Sequence, residues 1–146
     1  VGFLEVSPNA PSVVPSSVHF SIDLRHPDSA TLNALGDVIP GLCETHCGPC
    51  TVQVKELSND PSLEFPSAVR DVIRDVAVEL DIDHMDLPSA AGHDARHLHY
   101  VCPTGMIFVP CAGGISHNEA ESCKAEDLFN GARVLAGTIA RLADQV

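Results

Sequence analysis

The chain switches between a period of two and a period of about 3.6, and the switches mark its elements. Residues 1–6 read as a strand and Ser7-Pro8-Asn9-Ala10-Pro11 as a turn. Along 18–25, Val18, Phe20, Ile22 and Leu24 alternate with His19, Ser21, Asp23 and Arg25. That alternation predicts a half-buried strand with one polar face. Asp28 or Ser29 can cap the following helix, whose stripe is Leu32, Leu35, Val38, Ile39 and Leu42. Pro40-Gly41 is expected to bend or end it. Residues 51–57 alternate again and read as a strand. Strand, strand, helix, strand fits an antiparallel α+β sandwich, short of the second helix such a layer usually has.

Ser58-Asn59-Asp60-Pro61 is the candidate boundary, dividing the chain into 1–58 and 59–146. Beyond it, Val69, Val72, Ile73, Val76, Ala77 and Leu80 form one helical stripe with Pro66 at its start. Residues 87–92 are a small-residue loop, 93–100 a short helix and 105–110 a buried strand. Leu128, Leu135, Ile139 and Leu142 mark a last helix. There are no internal repeats.

The strand at 105–110 hands over to Gly113-Gly114-Ile115-Ser116-His117-Asn118-Glu119-Ala120-Glu121. Two glycines permit a sharp turn, and the end of a sheet is where α/β proteins tend to bind ligands. His117 there is a candidate metal ligand, with Ser116 or a carboxylate supporting it. The competing reading is a solvated loop histidine, since one ligand makes no site. His93 and His97 fall at i and i+4 on one face of the short helix, a possible zinc pair that lacks the Glu of a protease helix. His46, His84 and His99 read as surface residues. Cys47-Gly48-Pro49-Cys50 spells a thioredoxin-type pair, but it follows a helix and precedes a strand. That chemistry needs the first Cys at a helix N-terminus. Cys43 extends it to the C-x3-C-x2-C spacing of iron–sulfur radical enzymes, with too little chain after it for their barrel. A cysteine-rich turn is the simpler account.

Twenty Asp and Glu against eight Lys and Arg give a net charge of −12. That balance excludes a phosphate-binding basic face and an anionic membrane surface, so neither nucleic acid nor membrane is an expected partner. No apolar run approaches the ~20 residues that span a bilayer. The six cysteines sit in an ordinary core composition, and Cys102 and Cys111 read as buried thiols. A reduced, cytoplasmic setting is expected. The chain opens on what already looks like a strand, without Met, and reads as a piece of a longer protein.

Five segments, in order, carry a resemblance. They are Ser7-Pro8-Asn9-Ala10-Pro11-Ser12-Val13-Val14-Pro15, Phe20-Ser21-Ile22-Asp23-Leu24-Arg25-His26-Pro27-Asp28, Ala91-Gly92-His93-Asp94-Ala95, Pro103-Thr104-Gly105-Met106-Ile107-Phe108-Val109-Pro110 and Gly114-Ile115-Ser116-His117-Asn118. The series resembles the N-carbamoyl-L-amino-acid hydrolases, β-ureidopropionases and allantoate amidohydrolases of the aminoacylase-like metallopeptidase superfamily. The resemblance implies an α/β fold: residues 1–58 as the later, α+β part of a lid and dimerisation domain, and 59–146 as the C-terminal part of a catalytic domain. It implies hydrolysis of linear C–N bonds in N-carbamoyl or ureido acids at two divalent metal ions (Zn, or Mn, Co or Ni), in a homodimer. By the same resemblance His117 matches the last metal ligand. Arg25 matches an arginine that takes the substrate carboxylate, its competing reading being an ion pair with Asp23 or Asp28 at the strand end, and Ser12, Gly92 and His93 match substrate-binding positions, with Asp94 lining the same pocket. The catalytic Glu and the other ligands belong to a stretch absent here, so no catalytic residue is assigned and the chain alone is expected to be inactive. Ser12 departs from the pattern, which usually has Asn there. The rival is a non-catalytic dimerisation or binding module without metal.

Overall fold

The computed structural model describes residues 1–144. It has the composition of a partial α/β domain, four α-helices and a two-stranded sheet. The chain forms two units, Val1–Ser62 and Leu63–Val146.

In the first unit, β1 (Leu4–Ser7) pairs antiparallel with β2 (Ser17–Phe20), Leu4 opposite Phe20 and Ser7 opposite Ser17. Ser21 N–H adds one more bond, to the Phe3 carbonyl at 3.1 Å. Across the connecting loop Ser16 N–H donates to the Ser7 carbonyl at 2.8 Å. Helix α1 (Ser29–His46) starts where Asp28 accepts from the Thr31 N–H at 2.8 Å and from its hydroxyl at 2.6 Å. Those bonds hold the Asp28 carboxyl below its usual range. Pro40-Gly41, expected to bend or end α1, does not end it. Pro40 forfeits one N–H, and the turns on either side carry the helix through. Among the described residues this unit buries no side chain; one hairpin and one helix give apolar residues no second layer to close on.

In the second unit, α2 (Ser67–Glu79) packs against α4 (Ala125–Ala143). Val76, Ala77 and Val134 are the buried centre, with Ile73, Leu80, Ile82 and Ile107 against them. A Cβ at Gly137 would fall 2.7 Å from Val76 Cγ1, and one at Gly131 2.5 Å from Val109 Cγ1. Both helical glycines therefore mark close approaches rather than flexibility. Arg141 pairs with Glu79 between the same two helices. Helix α2 ends with Ile82 N–H on the Ala77 carbonyl and Asp81 N–H on the Val78 carbonyl. Asp81 takes the left-handed position at φ 54° that glycine usually fills in this cap.

Two expected strands are not formed. Residues 51–57 and 105–110 have no ladder among the described residues. Alternation reports a chain suited to a pleated surface, but a strand exists only through a partner. Ile107 nevertheless packs on the helical core. The alternating run 18–25 bonds to β1 and its flank no further than Ser21, and its apolar side, from Val18 (50%) to Leu24 (39%), is exposed rather than half-buried. Of the two cysteines expected to be buried, Cys102 is exposed and Cys111 half-buried.

Candidate functional site

In the first unit, Arg25 follows β2 and grips Asp23 with two bonds, Nε to Oδ1 at 2.9 Å and Nη2 to Oδ2 at 2.6 Å. The hydrogen bonds from Arg25 hold the Asp23 carboxyl below the usual range, and Asp23 raises the guanidinium in turn. Both side chains are over half exposed, at 55% and 57%, so water screens the pair. The fork thus has the geometry to take a carboxylate and already holds one from its own chain. Ser12 lies in the β1–β2 connection, exposed, with φ 59°. A non-glycine residue in the left-handed region costs about 1–2 kcal/mol, and here the tight turn after Pro11 imposes it.

In the second unit, Gly92 follows a bend at Ala91 and has no neighbouring atom within 4 Å of where its Cβ would be. The backbone there is open to a ligand on that side. His93 follows with extended angles, φ −136° and ψ 147°, and precedes α3 (Asp94–Leu98). Its Nε2 lies 2.7 Å from the Ser89 hydroxyl, and its ring tilts against Phe108 at 5.4 Å. The expected His93–His97 pair on one helical face is therefore not formed, because the helix begins one residue after His93.

His117 follows the 3-10 turn Ala112–Gly114, in which Gly113 and Gly114 have φ 62° and 68°. His117 itself is left-handed at φ 56°. Its backbone N–H donates to Glu121 Oε2 at 2.9 Å, and Glu121 N–H returns to the Asn118 carbonyl at 2.9 Å. The loop is thus held by local bonds, and the supporting carboxylate grips the backbone of His117. Strain of this kind, kept by surrounding bonds, is a feature of ligand-binding loops.

Among the described residues no group of three or more His, Cys, Asp or Glu side chains is arranged to hold a metal ion. His117 is one donor, so these residues alone do not fit a metal pair. Cys47 ends α1, its thiol on the Glu44 carbonyl at 3.3 Å. That is the reverse of the placement thioredoxin chemistry needs, in line with the reading of the motif as a turn.

Three features escaped the sequence reading. Arg74 bridges Asp71 at 2.6 Å and Asp86 at 2.7 Å, while Arg70 holds Glu64 at 2.6 Å. The Arg74–Asp71 spacing of three was a legible signal. His99, expected at the surface, is half-buried against Phe65 with Nδ1 unbonded. Cys111 and Cys123 lie with their sulfurs 3.8 Å apart, and a separation of 12 residues spells no motif.

The sequence profile of peptidase family M20/M25/M40 matches residues 6–141. The chain is 37% identical over its whole length to an N-carbamoyl-L-amino-acid amidohydrolase of Rhizobium meliloti, covering 36% of that protein. It is 34% identical over 98% of its length to a ureidoglycolate hydrolase of Arabidopsis thaliana, covering 31%. An allantoate amidohydrolase of Escherichia coli is 30% identical over 99% of the chain. The crystal structure of AtUAH in complex with glyoxylate superposes with a TM-score of 0.83 at 33% identity, over 97% of this chain and 34% of that one. The chain thus spans about a third of the length of these relatives. With sequence and fold both matched from the hairpin to the last helix, the chain belongs to peptidase family M20/M25/M40.

Proposed function

We propose that the protein containing this chain is a metal-dependent amidohydrolase that cleaves a linear C–N bond in N-carbamoyl amino acids or related ureido acids. The observation that carries the reading is the family match over 6–141 together with relatives named for such substrates. In this proposal residues 1–58 belong to a lid and dimerisation domain and 59–146 to the C-terminal part of the catalytic domain. Arg25 and Ser12 are the substrate-binding groups of the first, and Gly92 and His93 those of the second. A carboxylate ligand for Arg25 is supported by its two-bond grip on Asp23. It is supported also by glyoxylate, a carboxylate, in the matched AtUAH structure.

His117 is proposed as a ligand of one of two divalent ions, zinc or manganese, cobalt or nickel. The remaining ligands and the catalytic base then come from the part of the protein that the relatives possess beyond the matched third. On this reading residues 1–146 alone turn over nothing. A homodimer is part of the proposal, supported by the single pairing of β1 and β2 and by exposed Leu4 (63%), Val18 (50%) and Phe20 (48%). No helix among the described residues is long and apolar enough to cross a membrane. A cytoplasmic setting is proposed with the small, soluble substrates.

The test is turnover by the purified full-length protein loaded in turn with Zn²⁺, Mn²⁺, Co²⁺ and Ni²⁺. The substrates are an N-carbamoyl-L-amino acid, ureidoglycolate and allantoate, with residues 1–146 assayed in parallel. Metal-dependent hydrolysis of at least one, and none by the isolated chain, is expected. Failure of all three with every metal overturns the substrate class, and turnover by residues 1–146 overturns the division of the site.

A further inference from the structure

Cys111 and Cys123 stand at the two feet of the loop that carries His117. Cys111 has extended angles, φ −95° and ψ 143°, and leads into the 3-10 turn, while Cys123 comes just before Lys124, the cap of α4. The feet are tied through the backbone, since Ala112 N–H donates to the Ser122 carbonyl at 2.7 Å. The two sulfurs are 3.8 Å apart and both side chains are half-buried. A disulfide needs about 2.05 Å between sulfurs, with the two Cα atoms roughly 4.4–6.8 Å apart. Side-chain rotation supplies the approach when the backbones are already pinned side by side. None of this belongs to the proposed reaction, and it does not depend on whether His117 binds metal.

We propose that Cys111 and Cys123 are a dithiol–disulfide pair that closes the loop 112–122 covalently at its base. The oxidant is a small-molecule disulfide of the glutathione type. One cysteine thiolate attacks it, forming a mixed disulfide and releasing one small thiol. The second cysteine thiolate attacks the protein-bound sulfur, forms the Cys111–Cys123 bond and releases the second small thiol. Two electrons pass from the cysteines to the oxidant, and the two cysteine protons end on the released thiols. The hydrogen bond with Cys123, then burial, then the Glu121 carboxylate push the Cys111 thiol above its usual range. Closing a ring between residues 12 apart removes freedom from a segment whose glycines and left-handed His117 otherwise leave it held by hydrogen bonds alone.

The native full-length protein is treated with glutathione disulfide, its remaining thiols are alkylated, and tryptic peptides are weighed. Cleavage after Arg96 and Lys124 yields one peptide, 97–124, with Cys102, Cys111 and Cys123. The expected peptide carries one alkyl group, on Cys102, and is two hydrogens lighter than its reduced, singly alkylated counterpart. Amide hydrogen exchange over 112–122 is expected to slow on oxidation in the wild type and not in Cys123→Ser. Alkylation of both Cys111 and Cys123 after oxidation, or glutathione left on either, overturns the pair. A bond that forms without slowing exchange overturns the closure of the loop.

Discussion

Arg25 is held by a carboxylate of its own chain, two residues away. In the proposed function a substrate carboxylate competes with Asp23 for the same fork, and the exposure of both side chains keeps that exchange inexpensive. Removing a charge-assisted contact of two bonds lowers kcat/KM by roughly 30- to 1,000-fold. Lysine rescues poorly, because a point charge does not reproduce the fork. The measurement is kcat/KM of Arg25→Ala and Arg25→Lys in the full-length protein, for a carboxylate substrate and its amide analogue. Wild type is expected to prefer the acid and both variants to lose the preference. A preference that survives in Arg25→Ala makes the Asp23 pair the whole role of this arginine. Arg25 was legible as a candidate through the family resemblance, and His117 both through it and through the glycine pair that precedes it. The Asp23 pair was one of the two partners, Asp23 or Asp28, that the strand end offered Arg25, but the left-handed backbone of His117 was not legible, since it arises from loop geometry that hydrophobic periodicity does not encode.

Helices α1, α2 and α4 were legible because a stripe of apolar residues at helical spacing needs only its own sequence to be recognised. The segments 51–57 and 105–110 were misread because a ladder needs a second strand, which no pattern within one segment supplies. The helical glycines separate these two kinds of information. Gly36 in α1 has open space where a Cβ would go, whereas Gly137 in α4 faces Val76, which is 4% exposed. Gly36→Ala is expected to stabilise by up to ~1 kcal/mol through helix propensity. Gly137→Ala meets an overpacking cost of about 1–3 kcal/mol that exceeds the same gain, because Val76 has nowhere to move. Urea midpoints of the two variants check this. A Gly137→Ala protein as stable as wild type contradicts the close approach of α2 and α4.

The whole molecule is recognisable from five short segments spread over most of the chain, and the profile match over 6–141 agrees with that reading. What those segments do not contain is a complete metal site. In the proposal, one histidine in a left-handed, glycine-flanked loop is what residues 1–146 contribute to that site. The central claim is that His117 is a metal ligand of a hydrolase of this family. The direct measurement is metal content per subunit, by elemental analysis, of full-length wild type and His117→Ala, with kcat on the same samples and circular dichroism to confirm the fold. Loss of at least one ion and of most of kcat, with the fold unchanged, is the predicted result. Equal metal content and equal kcat in the two proteins contradict the account and leave His117 a loop residue.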